Sequence, residues 1–252
     1  MATRNASSLK VQNEHGEKLD VVVEGNPNAK TTVIFVHSLG TNKDDDRNLF
    51  KDIAASFSDK FRIVRFDMSA CGMSEGKEED SNLYKWSRDL NSIIEYVKSK
   101  YDGEICIIAH SFGTFVTAKL SPSNVQKVVF VAMANKDTSG SSIKERIRSR
   151  GGVVNEQGIS TYPRTTGEVQ KLGPAFWTEL AKFKPITEVG TFASKTKLTI
   201  IEPKQDEVVK KENREGYEGL SDLSYIKLDG GHEFPNPEDR KVLIKQLTEI
   251  LV

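Results

Sequence analysis

Five short apolar runs constrain this chain more than any other feature. Residues 32–36 (TVIFV), 62–66 (RIVRF), 105–108 (ICII), 128–131 (VVFV) and 198–201 (LTII) are nearly continuous in hydrophobicity and rich in β-branched side chains. A strand that alternates apolar and polar residues has one wet face, whereas a run with little alternation is buried on both. Such strands need a covering layer above and another below. The segments between them can supply it: Leu83, Trp86, Leu90, Ile93, Ile94 and Val97 recur with a 3.6-residue period, which predicts an amphipathic helix over 81–100. Near the C-terminus, Asn236 offers an N-cap, Pro237 suits the first helical position, and Glu238 and Asp239 favour the positive end of the helix dipole. Leu243, Leu247 and Ile250 then form its apolar stripe.

Strands alternating with helices imply right-handed βαβ units, hence an α/β fold with a mostly parallel central sheet and helices on both faces. The run over 224–228 does alternate and belongs near an edge. Residues 8–11 and 18–23 read as a hairpin turning through Gly16. With 252 residues the chain can bury one sizeable core, and a single domain over 1–252 is expected. One stretch breaks the alternation. Between residues 133 and 197 no strand is evident, yet Tyr162, Phe176, Trp177 and Phe183 fall there among several glycines. A structureless loop of that length is unusual in a compact domain, so 136–190 is expected to be an inserted cap.

Composition narrows the function by exclusion. Thirty-six Lys and Arg against 36 Asp and Glu leave no basic surplus, so nucleic acid is not an expected partner. The densest basic stretch, 144–150 (KERIRSR), is interrupted by acid and reads as a solvated helix face. Two cysteines, Cys71 and Cys106, cannot build a disulfide framework, and no paired CxxC suggests a metal site. Cys106 sits inside an apolar run as a small hydrophobe, and Cys71 reads as a structural loop residue. Residues 1–5 lack the apolar core of a secretion signal and no run approaches 18 apolar residues, so a cytoplasmic protein without a membrane span is expected. The sequence is compatible with a homodimer.

The chemical signal lies in 107–114 (IIAHSFGT). A buried strand runs directly into Ala-His-Ser-Phe-Gly and then into a helical segment over 114–120, the context of a nucleophile elbow. The residues two before and two after the serine must be small, and Ala109 and Gly113 are. Ser111 would then stand above the sheet at the N-terminus of a helix, where free N–H groups favour developing negative charge. A serine hydroxyl needs a base. Of the four histidines, His15 lies in the N-terminal turn, His37 ends a buried strand, and His110 adjoins Ser111 on the elbow, where neighbouring side chains diverge. His232, past the last strand behind Gly230 and Gly231, remains. Asp206 follows the penultimate strand and gives the order Ser, Asp, His, with Glu202, Glu207 and the more distant Asp137 as alternatives. The oxyanion donors would be the backbone N–H groups of Phe112 and Leu39.

Together these residues resemble the α/β-hydrolase superfamily, most closely serine esterases of the cinnamoyl/feruloyl-esterase and monoacylglycerol-lipase type. The resemblance covers nearly the whole chain and is weakest over 136–190. It rests on 36–43 (VHSLGTNK), similar to the family's His-Gly-x-x-Gly loop, on 65–76 (RFDMSACGMSEG), and on the elbow, acid and histidine loops in order. The sequence departs from the pattern at Ser38, Ala70 and Ala109, where glycine is usual. The resemblance implies a structural Asp67, a small-molecule ester as substrate, no cofactor, and a cap whose Phe176 and Trp177 offer a wall for small, medium or aromatic acyl groups. The same triad also serves peptidases, thioesterases and C–C hydrolases, and some proteins of this fold only bind ligands.

Overall fold

The computed structural model describes residues 6–134, 136, 140–164 and 167–252. Its strands are β1 (Ser7–Gln12), β2 (Lys18–Gly25), β3 (Thr31–Val36), β4 (Arg62–Phe66), β5 (Glu104–His110), β6 (Lys127–Val131), β7 (Ser160–Pro163), β8 (Val169–Leu172), β9 (Lys197–Pro203) and β10 (Leu223–Leu228). Eight of them form one sheet in the order β1-β2-β4-β3-β5-β6-β9-β10. The two strands at the N-terminal edge are antiparallel to their neighbours, and the six from β4 to β10 are mutually parallel. The five apolar runs are thus β3, β4, β5, β6 and β9, and the alternating run is the edge strand β10. The expected hairpin is β1–β2, with Gly16 at φ 79°.

The period of two along these strands sorts their side chains into two cores. Val33, Phe35, Cys106, Ile108, Val129 and Val131 pack with α1 (Leu49–Phe57) and α7 (Pro237–Leu251). Ile34, Val36, Ile107, Ala109, Val128 and Phe130 pack with α2 (Leu83–Lys100), α3 (Phe112–Leu120) and α6 (Pro185–Ala193). The Asn82 side chain caps α2 by accepting the Lys85 N–H, and Asn236 caps α7 through the Glu238 N–H. Leu251, rather than Ile250, completes the buried stripe of α7, because a four-residue step from Leu247 keeps the same face. Among the described residues no helix is long and apolar enough to cross a membrane.

Between β6 and β9 lie α4 (Ser141–Ser149), the antiparallel pair β7–β8 and α5 (Pro174–Lys182). The sequence shows no strand there because each is only four residues long and half polar, too short for a period to register. α6 then rejoins the main body against α3 and β9.

Candidate active site

The parallel strands all end on one side of the sheet, and the loops that leave them meet there, the usual place for a site in an open α/β sheet. β5 turns into α3 at Ser111, whose φ of 49° and ψ of −118° lie in a region that side-chain-bearing residues rarely adopt. Gly113 permits the turn: a Cβ there would come 2.2 Å from the Val36 carbonyl oxygen and 2.8 Å from that of His37. Ser111 and Phe112 line a cavity of about 490 Å3 together with Leu39 and His232. That volume suits a small ligand.

Asp206, on the loop after β9, and His232, after β10, meet across the sheet end. The His232 Nδ1–H donates to Asp206 Oδ2 at 2.9 Å, and Asp206 Oδ1 accepts the N–H groups of Val208 and Val209, each at 2.8 Å. Burial works to raise the Asp206 carboxyl, but its hydrogen bond and charge interaction with His232 and the two N–H groups outweigh it. The net effect holds Asp206 below the usual carboxylate range. His232 Nε2 makes no hydrogen bond among the described residues. Among the described residues Ser111 Oγ makes no hydrogen bond, to His232 or otherwise. Such contacts commonly tighten only in the substrate complex. The N–H groups of Leu39 and Phe112 also find no protein acceptor among the described residues, which leaves two donors free beside the cavity.

The alternative acids are placed elsewhere. Glu207 accepts the backbone N–H of His232 at 3.2 Å rather than touching its ring. Glu202 bonds the Tyr225 hydroxyl and pairs with Arg214 at 3.5 Å. Asp137 lies outside the described residues. The other histidines are placed elsewhere. His37 donates from Nδ1 to the Ser38 carbonyl and accepts the Met68 N–H on Nε2, which fixes a neutral tautomer in a fully buried ring. His15 is on the surface turn of the first hairpin.

His110 has a role that sequence did not suggest. Its side chain follows the strand alternation to the α1/α7 face, where Nδ1 bonds Asp45 Oδ2 at 2.9 Å and Nε2 bonds the His232 carbonyl at 3.1 Å. Both partners are acceptors only, so both ring nitrogens carry hydrogen and the ring is an imidazolium. Burial opposes that charge, and Asp45 more than offsets it, pushing the His110 pKa up to about 9. Asp45 in turn accepts the Ser38 hydroxyl at 2.9 Å. Nothing in the acidic run 44–46 marks Asp45, since a charge run ordinarily stays solvated.

Phe176 and Trp177 do not reach the cavity. Phe176 is fully buried, stacked on Phe112 with ring centres 5.8 Å apart, and Trp177 packs edge-on against it while donating to Ser160 Oγ. Their size and apolarity peg the segment between β6 and β9 onto α2 and α3. The segment's side of the cavity is lined instead by Ile143, Tyr162 and Leu180, with Ser142, Glu168 and three arginines. Asp67 is buried and ties loops together, accepting the Lys43 and Met73 N–H groups and pairing with the Lys43 ammonium. Cys71 and Cys106 are both free and buried, and burial raises both thiols, Cys106 to about 11. Neither lines the cavity. Among the described residues no group of three His, Cys, Asp or Glu side chains is placed to hold a metal ion.

Comparison with known proteins agrees with this architecture. The family model described as alpha/beta hydrolase fold matches residues 31–150, which is 120 of the 252 residues and runs from β3 through the elbow to α4. Est1E from Butyrivibrio proteoclasticus, solved with bound ferulic acid, superposes with a TM-score of 0.73 over 96% of each chain at 17% identity. The alpha/beta hydrolase GrgF from Penicillium sp. sh18 gives a TM-score of 0.77 over 98% of this chain and 99% of its own, at 15% identity. In sequence, the chain is 35% identical over 66 residues to the mitochondrial palmitoyl-protein thioesterase ABHD10 of Homo sapiens, and equally to that of Pongo abelii. That match takes in 26% of this chain and 21% of the relative's length. The chain has the alpha/beta hydrolase fold.

Proposed function

We propose that the protein is a serine hydrolase that cleaves esters of small or medium acyl groups through Ser111, His232 and Asp206. The observation that supports this reading is the Asp206–His232 pair, whose histidine lies on the wall of the cavity that the strained Ser111 also lines. His232 Nε2 takes the Ser111 proton as Oγ forms a bond to the acyl carbon. The carbonyl oxygen becomes an oxyanion facing the N–H groups of Leu39 and Phe112. The tetrahedral adduct then collapses: the C–O bond to the leaving alcohol breaks, and His232 returns the proton to that alcohol. Water, deprotonated by the same nitrogen, releases the acid and restores Ser111. Asp206 keeps the proton on Nδ1 and stabilises the imidazolium at each step.

In this reading residues 136–190 are a cap over the site, with the buried Phe176 and Trp177 anchoring it rather than touching the acyl group. A thioester would pass through the same acyl-enzyme, and the relatives of known name include a thioesterase. The test is a panel of p-nitrophenyl esters, acyl thioesters and aminoacyl anilides, run beside fluorophosphonate labelling. Ester turnover and labelling are expected in the wild type, and both should fall to background in Ser111→Ala. Asp206→Asn should lower kcat by roughly 10^4-fold, because the histidine tautomer is no longer fixed. A folded wild type that neither labels nor turns over any ester would overturn the proposal.

A further inference from the structure

Three arginines of the segment between β6 and β9 line the same cavity as Ser111 and His232. Arg146 and Arg150 stand four residues apart at the end of α4, hence on one face, and Arg164 follows directly after β7. The guanidinium groups of Arg164 and Arg150 lie 4.4 and 5.8 Å from the centre of the Tyr162 ring, so the cluster is gathered around one aromatic side chain. Arg164 is fixed more firmly than the others. It donates to the Leu39 carbonyl and, at 3.3 Å, to Gln170 Oε1, and it occupies the space beside Gly40, where a Cβ would come 1.7 Å from Cζ.

Among the described residues none of the three arginines forms an ion pair, and the side chains of Arg146 and Arg150 donate no hydrogen bond. Five acids share the cavity wall with them: Asp45 bonds His110, Asp46 accepts the Arg47 N–H, Glu78 accepts the Lys171 N–H, Glu233 faces Arg47 at 3.9 Å, and Glu168 stands beside Arg164, whose N–H its backbone carbonyl accepts at 2.8 Å. Burial is the main cause that presses the Arg164 guanidinium below its ordinary value; Tyr162 opposes it, and the charges of Arg146 and Arg150 add to it. The guanidinium stays charged at neutral pH all the same. Gathering like charges in a partly enclosed space costs free energy that an entering anion recovers. The planar guanidinium fork matches a carboxylate in two parallel hydrogen bonds.

We propose that the ester this site cleaves carries a carboxylate, held by Arg146, Arg150 and Arg164 while the ester group faces Ser111. The inference rests on the serine-hydrolase reading above and names its substrate class. Arg164 links the two ends of the site, since it holds the carbonyl of Leu39, the residue whose N–H faces the reacting oxygen.

Two matched substrate pairs test it. Mono-p-nitrophenyl glutarate against p-nitrophenyl pentanoate puts the charge on the acyl side. The leaving side is probed by 3-carboxyphenyl acetate against 3-methylphenyl acetate. In one of the pairs kcat/KM should favour the carboxylate by about tenfold or more, as a charge-assisted contact implies. That ratio should fall about tenfold in Arg146→Gln/Arg150→Gln, recover in part in Arg146→Lys/Arg150→Lys, and shrink as salt is raised. Equal or better turnover of the neutral member in both pairs overturns the inference, as does a ratio untouched by the double substitution. Either result leaves the serine-hydrolase reading intact. If no ester is turned over, calorimetry of mono-p-nitrophenyl glutarate on Ser111→Ala decides independently of catalysis. Binding weakened about tenfold by the arginine substitutions supports the carboxylate site, and no binding to the parent overturns it.

Discussion

Replacing Ser111 with glycine separates the strain of the elbow from its chemistry. At φ 49° and ψ −118° the serine Cβ crowds its own backbone, and a residue held in such a region costs about 1–3 kcal/mol. Ser111→Ala removes the hydroxyl but keeps that Cβ, so it keeps the strain. Ser111→Gly removes both, and in exchange the unfolded chain gains freedom worth about 0.4–1 kcal/mol. Taking the middle of each range, the glycine variant should be about 1 kcal/mol more stable than the alanine variant. For a domain of this size that corresponds to a melting temperature roughly 2–4 °C higher. Neither variant should react with a fluorophosphonate, so stability can be compared with activity absent from both. The assay is thermal and urea unfolding of the two proteins side by side. A glycine variant that melts below the alanine variant would refute the account of a strained elbow held in place by its surroundings.

Other outcomes follow from the same geometry. Gly113→Ala drives a Cβ against the Val36 and His37 carbonyls, two backbone groups that cannot swing away. It should cost about 1–3 kcal/mol and abolish fluorophosphonate labelling; a labelled, fully stable variant would contradict the packing described. The His110 imidazolium makes stability depend on pH. Because its folded pKa is raised to about 9, its contribution is complete below the unfolded value of about 6.5 and is lost as pH rises through about 9. Urea midpoints of wild type and His110→Gln should therefore converge between pH 6.5 and 9.5, and parallel profiles would exclude a charged ring. Phe176→Leu, which removes a ring stacked on Phe112, should lower the melting temperature without raising KM for small esters. A rise in KM at unchanged stability would return Phe176 to the substrate wall.

The sheet was legible because its signal is local. Residues such as Val33, Ile34 and Phe35 state their own two-sided burial, and Gly113 beside Ser111 states the tightness of its turn. The Asp206–His232 pair could be approached by elimination, since only four histidines had to be sorted. What sequence did not carry was anything set by distant contacts of ordinary residues. Phe176 and Trp177 are large and apolar whether they face a ligand or a core, so composition alone leaves the two roles alike. The basic run 144–150 has the pattern of a solvated face, and only the placement of α4 beside Tyr162 and Arg164 turns two of its arginines inward.

The positions that depart from the glycine-rich pattern show how such long-range contacts accumulate. A glycine at position 38 would have no hydroxyl. Ser38 uses its own to donate to Asp45, Asp45 accepts from His110, and His110 donates to the carbonyl of His232. The loop that follows β3, which carries Leu39, is thereby joined through four residues to the loop that carries the base. Arg164 reaches the same Leu39 from the other side of the cavity. A change at Ser38 is therefore coupled to the histidine loop through buried, charge-assisted bonds, and is not a local matter of turn geometry. Ala70 lacks such a partner and simply bears a φ of 61°, a strain that glycine would relieve. The two departures look alike in sequence, yet one adds a connection and the other only a cost.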